Sequence, residues 1–152
     1  IFAIVARDYG EYPYFDGTQG KPYAIAVYIS ESNGKDNGIL MSQKGFALYM
    51  LNGVPVFAAR DDNKIVASHA VPAGKSVVRA EVRHKGKTSS SVKLYINDEL
   101  VGSCDLNNKL NMSGKTNFIQ VGRQWGVPVT DDYQSPFTFT GKIFKGTVDI
   151  KQ

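Results

Sequence analysis

The side chains best suited to recognising a ligand are Arg123-Gln124-Trp125. Trp125 is the only tryptophan and stands in a turn flanked by Gly122 and Gly126, directly after an apolar run at 118–121. An indole face stacks on the apolar face of a sugar ring, an amide reaches its hydroxyls, and a guanidinium pairs with a sulfate or carboxylate. The competing reading of a lone tryptophan is partly buried packing. Asp132 and Tyr133, a few residues on, complete the candidate ligand-binding set. Asp131-Asp132 and Asp61-Asp62 are the acidic doublets, and loop carboxylates of this kind are calcium ligands in other proteins. Neither doublet shows the alternating ligand spacing of a dedicated calcium loop, so Asp131 and Asp132 stand as the metal candidates on carboxylate chemistry alone.

Catalysis finds less footing. Glycoside hydrolysis on a sandwich needs two carboxylates at a fixed separation, and Glu11, Glu31, Glu81 and Glu99 never approach the spacing that would set two of them on one strand face. A nucleophilic triad needs a histidine beside a serine or cysteine, and His69 and His84 sit in no such motif. No glycine-rich phosphate loop is present. Arg79, Arg83, Lys85 and Lys87 have two readings, a basic stripe for acidic glycans or the charged outer face of an ordinary strand. No catalytic residue is expected, and the chain reads as a non-enzyme.

These side chains must be held by strands. In Val77-Val78-Arg79-Ala80-Glu81-Val82-Arg83 the apolar residues alternate with charged ones at a period of two, which is a half-buried strand. Similar runs occur at 23–29, 46–51, 54–59, 92–96, 118–121 and 142–150, and no stretch has the 3.6-residue period of an amphipathic helix. Asn52-Gly53 and Asn97-Asp98 are two-residue turns whose residues tolerate positive φ, so each predicts an antiparallel hairpin. Turn formers at 32–34, 72–74, 85–87 and 111–114 space the remaining strands closely, as in a sandwich or jelly roll.

The fold class expected is therefore all-β, an antiparallel two-sheet sandwich over residues 1–152 as one domain, since 152 residues bury a single ordinary core. Residues 1–20 stand apart as an arm rich in aromatics, with Tyr9, Tyr12, Tyr14 and Phe15 either packed on the sandwich or forming a binding loop. A net charge of +4 spread along the chain leaves no basic tract for nucleic acid. No apolar stretch is long enough for a membrane-spanning helix. Because the first residue is not Met and no leader pattern precedes it, the chain is expected to be processed or cut from something longer. Cys104 is the only cysteine, which excludes an internal disulfide framework and a Cys-based zinc site.

The stretch Gly126-Val127-Pro128-Val129-Thr130-Asp131-Asp132-Tyr133-Gln134-Ser135-Pro136-Phe137-Thr138-Phe139-Thr140-Gly141-Lys142-Ile143 resembles a pattern in the C-terminal region of bacterial arylsulfatases. Pro72-Ala73-Gly74-Lys75, Leu94-Tyr95-Ile96-Asn97-Asp98 and Phe46-Ala47-Leu48-Tyr49 accompany it in the same order, so the resemblance covers about three quarters of the chain. More broadly it is that of a concanavalin A-like, laminin-G-like sandwich. The resemblance implies a non-catalytic accessory domain for a sulfatase-like catalytic partner, extracytoplasmic, in contact with sulfated carbohydrate. Gly122-Arg123-Gln124-Trp125-Gly126 departs from the family's turn, and Cys104 lacks the proline and arginine of a sulfatase nucleophile motif. The alternative is a free-standing lectin-like module binding neutral or sulfated carbohydrate. Calcium is the one cofactor either reading admits.

Overall fold

The computed structural model describes residues 2–6, 11–12, 22–43, 45–59, 64–85, 89–106 and 119–150. Its strands are β1 (Phe2–Ala6), β2 (Glu11–Tyr12), β3 (Tyr23–Glu31), β4 (Gly38–Gln43), β5 (Phe46–Leu51), β6 (Val54–Ala59), β7 (Lys64–Val66), β8 (Ser76–Lys85), β9 (Ser89–Ile96), β10 (Glu99–Leu106), β11 (Ile119–Val121) and β12 (Lys142–Ile150). They form two six-stranded sheets, in the orders β1-β12-β3-β8-β9-β10 and β2-β11-β4-β5-β6-β7. Every pairing is antiparallel. No helix occurs among the described residues.

The period-two pattern decides which side chains meet between the sheets. On β8, Val78, Ala80 and Val82 point inward, as their alternation predicts, and meet Ile25 and Val27 of β3, Leu94 of β9 and Leu48 and Phe57 of the facing sheet. The Phe46 and Phe57 rings stack at 5.6 Å across the β5–β6 pair. Both hairpins form where the turn residues place them. Asn52 and Gly53 have φ of 50° and 81°, and Asn97 and Asp98 have 48° and 68°, the left-handed pair that matches the twist of the flanking strands.

Two elements depart from expectation. Residues 38–43 read as no alternating strand, yet β4 lies inside its sheet and all six of its residues are buried. A bulge between Ile39 and Met41 breaks the period, and both faces of the strand are covered, so no polar face exists to reveal it. The segment 1–20 also contributes strands: β1 lies at the edge of the first sheet and β2 at the edge of the second. The expected roles of Tyr9, Tyr14 and Phe15 lie outside the described residues.

The segment 122–141 covers part of the second sheet's outer face. Ile39, Tyr49 and Val56 on that face pack against Val129, Tyr133 and Phe137 of the segment in a second apolar cluster. Tyr133 and Phe137 stack at 5.0 Å, and the Tyr49 ring lies 5.0 Å from Tyr133. Backbone bonds hold the ends: Ile39 N–H donates to Phe137 O (2.9 Å), Phe139 N–H to Gly122 O (2.8 Å) and Thr140 N–H to Asn37 O (2.9 Å). With this sheet capped, the first sheet keeps the open outer face among the described residues.

Candidate functional site

The five residues singled out by sequence divide between the inside and the outside of the 122–141 segment. Gln124 (3% exposed) and Tyr133 (6% exposed) turn inward. The Tyr133 hydroxyl donates to Gln124 Oε1 and accepts from Val129 N–H at 3.2 Å, so both polar groups are consumed by the segment's own architecture. Asp132 accepts from the Tyr49 hydroxyl at 2.5 Å and from Lys64 Nζ at 3.1 Å. Asp131 is exposed beside it, and no group of three or more His, Cys, Asp or Glu suited to a metal ion occurs among the described residues. With an ammonium and a phenol already on Asp132, its carboxylate serves to fasten the segment to β5. The doublet Asp61-Asp62 lies outside the described residues.

Arg123 and Trp125 remain together at the surface. Trp125 is 52% exposed, its ring centroid 5.5 Å from the Arg123 guanidinium carbon, and Val127 beside it is 72% exposed. The turn is fixed from below by Gln120, whose Oε1 accepts from Trp125 N–H at 2.6 Å. It is a projecting apolar tip with one cation against it.

The Tyr49 hydrogen bond and the Lys64 ammonium hold the Asp132 carboxyl below the usual aspartate range, against the opposing effect of burial. Burial alone would raise Asp36, but hydrogen bonds from Thr140, Asn33 N–H and Ser32 more than offset it and lower it too. A carboxylate whose folded pKa lies below its unfolded one stabilises the fold above the unfolded value and loses that contribution as pH falls through the folded value. Melting temperature is therefore expected to fall as pH drops below about 4, and less steeply in Asp132→Asn. A melting temperature flat from neutral pH into that range would contradict this role for the two aspartates.

The outer face of the first sheet carries a groove where sequence offered either a basic stripe for acidic glycans or a charged strand face. Strand pairing sets Tyr95 beside Arg79, Arg79 beside Ala26, and Tyr28 between Val77 and Lys145. Ala24 and Ala26, outward on central β3, make a low floor between taller neighbours on β8 and β12. Two hollows of about 410 and 310 Å³ open on this face and share Tyr28, Val77 and Asn97 as lining residues. Phe144 and Lys75 extend the first, and Arg79 and Asp98 the second.

The aromatic rings of this groove each hold a cation. The Arg79 guanidinium carbon lies 4.4 Å from the Tyr95 ring centroid, and Lys145 Nζ lies 4.6 Å from that of Tyr28 and 5.7 Å from that of Phe144. Arg79 also meets Glu81 and Asp98, each at 3.6 Å, while its Nε is out of solvent without a hydrogen-bond partner. Of the basic stripe read from sequence, Arg79 is therefore part of a built surface, Arg83 is exposed, and Lys85 pairs with Asp105 at 2.9 Å. Lys87 lies outside the described residues. A third hollow, of about 430 Å³, lies at the strand ends, but its buried acid Asp36 is already bonded to Thr140 (2.7 Å) and Asn33 (3.0 Å).

Several solved structures share this architecture. The LG1-3 region of the laminin α2 chain superposes with a TM-score of 0.66 at 14% identity, over 96% of this chain and 31% of that one. The CBM40 of Ruminococcus gnavus IT-sialidase, bound to α2,3 sialyllactose, superposes with a TM-score of 0.62 at 17% identity, over 99% of this chain and 91% of that one. The Caenorhabditis elegans galectin LEC-6 gives a TM-score of 0.51 at 10% identity, over 99% and 96%. The chain thus spans about a third of the laminin region but nearly the whole of the other two. These likenesses show the fold, a concanavalin A-like, laminin-G-like sandwich. No protein-family model matches the chain and no curated protein matches its sequence. The resemblance of 126–143 to the arylsulfatase C-terminal region therefore has no support beyond the residues that carry it.

Proposed function

We infer that the chain is a non-catalytic, lectin-like carbohydrate-binding module whose ligand lies across the groove on the first sheet's outer face. The observation that carries this is the groove itself: Tyr28 and Phe144 present aromatic surface, with Asn97, Asp98 and Arg79, which lies over the Tyr95 ring, as polar groups beside them. A sugar ring offers an apolar face for stacking and a rim of hydroxyls for planar polar side chains, and a hollow of a few hundred Å³ with a few convergent polar groups is the size such ligands take. The R. gnavus module bound to sialyllactose and the galectin, which share the fold over almost their whole length, support a glycan as ligand. A module of this kind works outside the cytoplasm. Titration calorimetry against a panel of neutral and acidic oligosaccharides is expected to give saturable binding at one site; no heat with any member would sink the reading.

A second reading places the contact at the Arg123–Trp125 turn, favoured by the exposed Trp125 and Val127. There a sugar would stack on Trp125, or an accessory domain would meet a sulfatase-like catalytic domain through the apolar tip. Trp125 emission separates the two surfaces: ligand in the groove leaves it unchanged, whereas contact at the turn shifts or quenches it.

A further inference from the structure

We propose that the ligand of this groove bears an anionic oxyacid group, a carboxylate or a sulfate, seated against Lys145 and Lys75 at the end walled by Tyr28 and Phe144. The inference rests on the groove being the glycan site. It starts from the backbone of β12. Ile143 pairs with Ile29 and Lys145 with Tyr28, so two residues of β12 oppose one step of β3 there. A bulge of this kind re-aims side chains. Here Phe144 lines the first hollow while its neighbour Lys145 keeps Nζ over both the Tyr28 and Phe144 rings.

Aromatic faces attract an ammonium without neutralising it. The ion pairs on this sheet among the described residues are Arg79 with Glu81 and Asp98, Lys85 with Asp105, Lys142 with Glu31, and Glu99 with His69; Lys145 and Lys75 belong to none of them. The acids on this face are engaged or distant. Glu81 and Asp98 face Arg79, Glu81 also bonds Tyr95, and Asp149 lies four residues from Lys145 along β12, about 13 Å at the rise of an extended strand.

The first hollow thus has mainly apolar and aromatic walls, Lys75 in its lining, Lys145 against two of its rings and no carboxylate among its lining residues. Charge at the rim of an apolar concavity acts through a lower effective dielectric than charge on an open surface, and so favours an anion over a neutral group of the same shape. Lysine acts as a point charge without the bidentate geometry of arginine, so the site admits either oxyacid.

Paired probes test this on the full chain. They are a hyaluronan hexasaccharide and its carboxyl-reduced form, and a κ-carrageenan hexasaccharide and its desulfated form. At least one charged probe is expected to bind about tenfold or more tightly than its neutral twin at low salt, with the gap narrowing as ionic strength rises. The pair that shows the gap identifies carboxylate or sulfate. Lys145→Met combined with Lys75→Met should abolish the gap, and Lys145→Arg in place of Lys145→Met should restore most of it. Equal affinity of both members of each pair overturns the proposal and leaves the glycan reading intact. A gap that persists in the double methionine variant also overturns it. Loss of binding to all four probes defeats the underlying glycan reading instead.

Discussion

Replacing Tyr49 with alanine is expected to destabilise the fold by about 3–5 kcal/mol, read from chemical denaturation, the range for deleting a fully buried aromatic ring. Tyr49 is completely buried although it sits on the outer face of its sheet, because the 122–141 segment lies over it. Its ring touches those of Tyr133 and Phe137, and its hydroxyl bonds Asp132 and Thr130. Tyr49→Phe keeps the rings and removes only the hydroxyl, so its expected cost is smaller, about 1–3 kcal/mol. A loss below about 1 kcal/mol in Tyr49→Ala would mean that the segment is held by something other than this ring. The 126–143 pattern has the same physical basis: Val129, Tyr133 and Phe139 are buried, Phe137 partly so, and they pack the segment onto the sandwich.

Tyr28→Ala is expected to weaken glycan binding by about tenfold or more, roughly 1.4 kcal/mol or above, with little change in melting temperature. The substitution removes the ring that lines both hollows and on which Lys145 rests. Arg79→Ala is expected to act similarly at the other end, where it uncovers Tyr95 and leaves Glu81 without its cation. Trp125→Ala should leave affinity within about twofold, because the turn lies on the segment that caps the opposite sheet. Full affinity in both Tyr28→Ala and Arg79→Ala would move the site off this face.

Much of the sandwich was legible in local residue patterns. The alternation of 77–83 and the pairs Asn52-Gly53 and Asn97-Asp98 carry their structure within a few residues, and the strands and turns stand where those patterns put them. β4 escaped because alternation reports a strand only when one face meets water, and Ile39 and Leu40 are both covered, from opposite sides. The candidate binding face was less legible. Arg79 was visible as an outward charge, but the ring beneath it belongs to another strand and arrives only through the β8–β9 register. Phe144 lines the hollow and Lys145 stands over its rings at a bulge that no residue type announces. Gln124 and Tyr133 looked like ligand groups because sequence gives their chemistry and not their direction; they bond each other inside the segment.

The central claim, that glycan is held on the first sheet's outer face, is tested most directly by mapping. Backbone amide resonances would be followed during titration with the tightest-binding oligosaccharide. Shifts should gather at Tyr28, Val77, Arg79, Tyr95, Asn97 and Lys145, which pairing and the shared hollows bring to one surface. Shifts confined to Arg123 through Val127, or spread evenly over both sheets, would contradict the account.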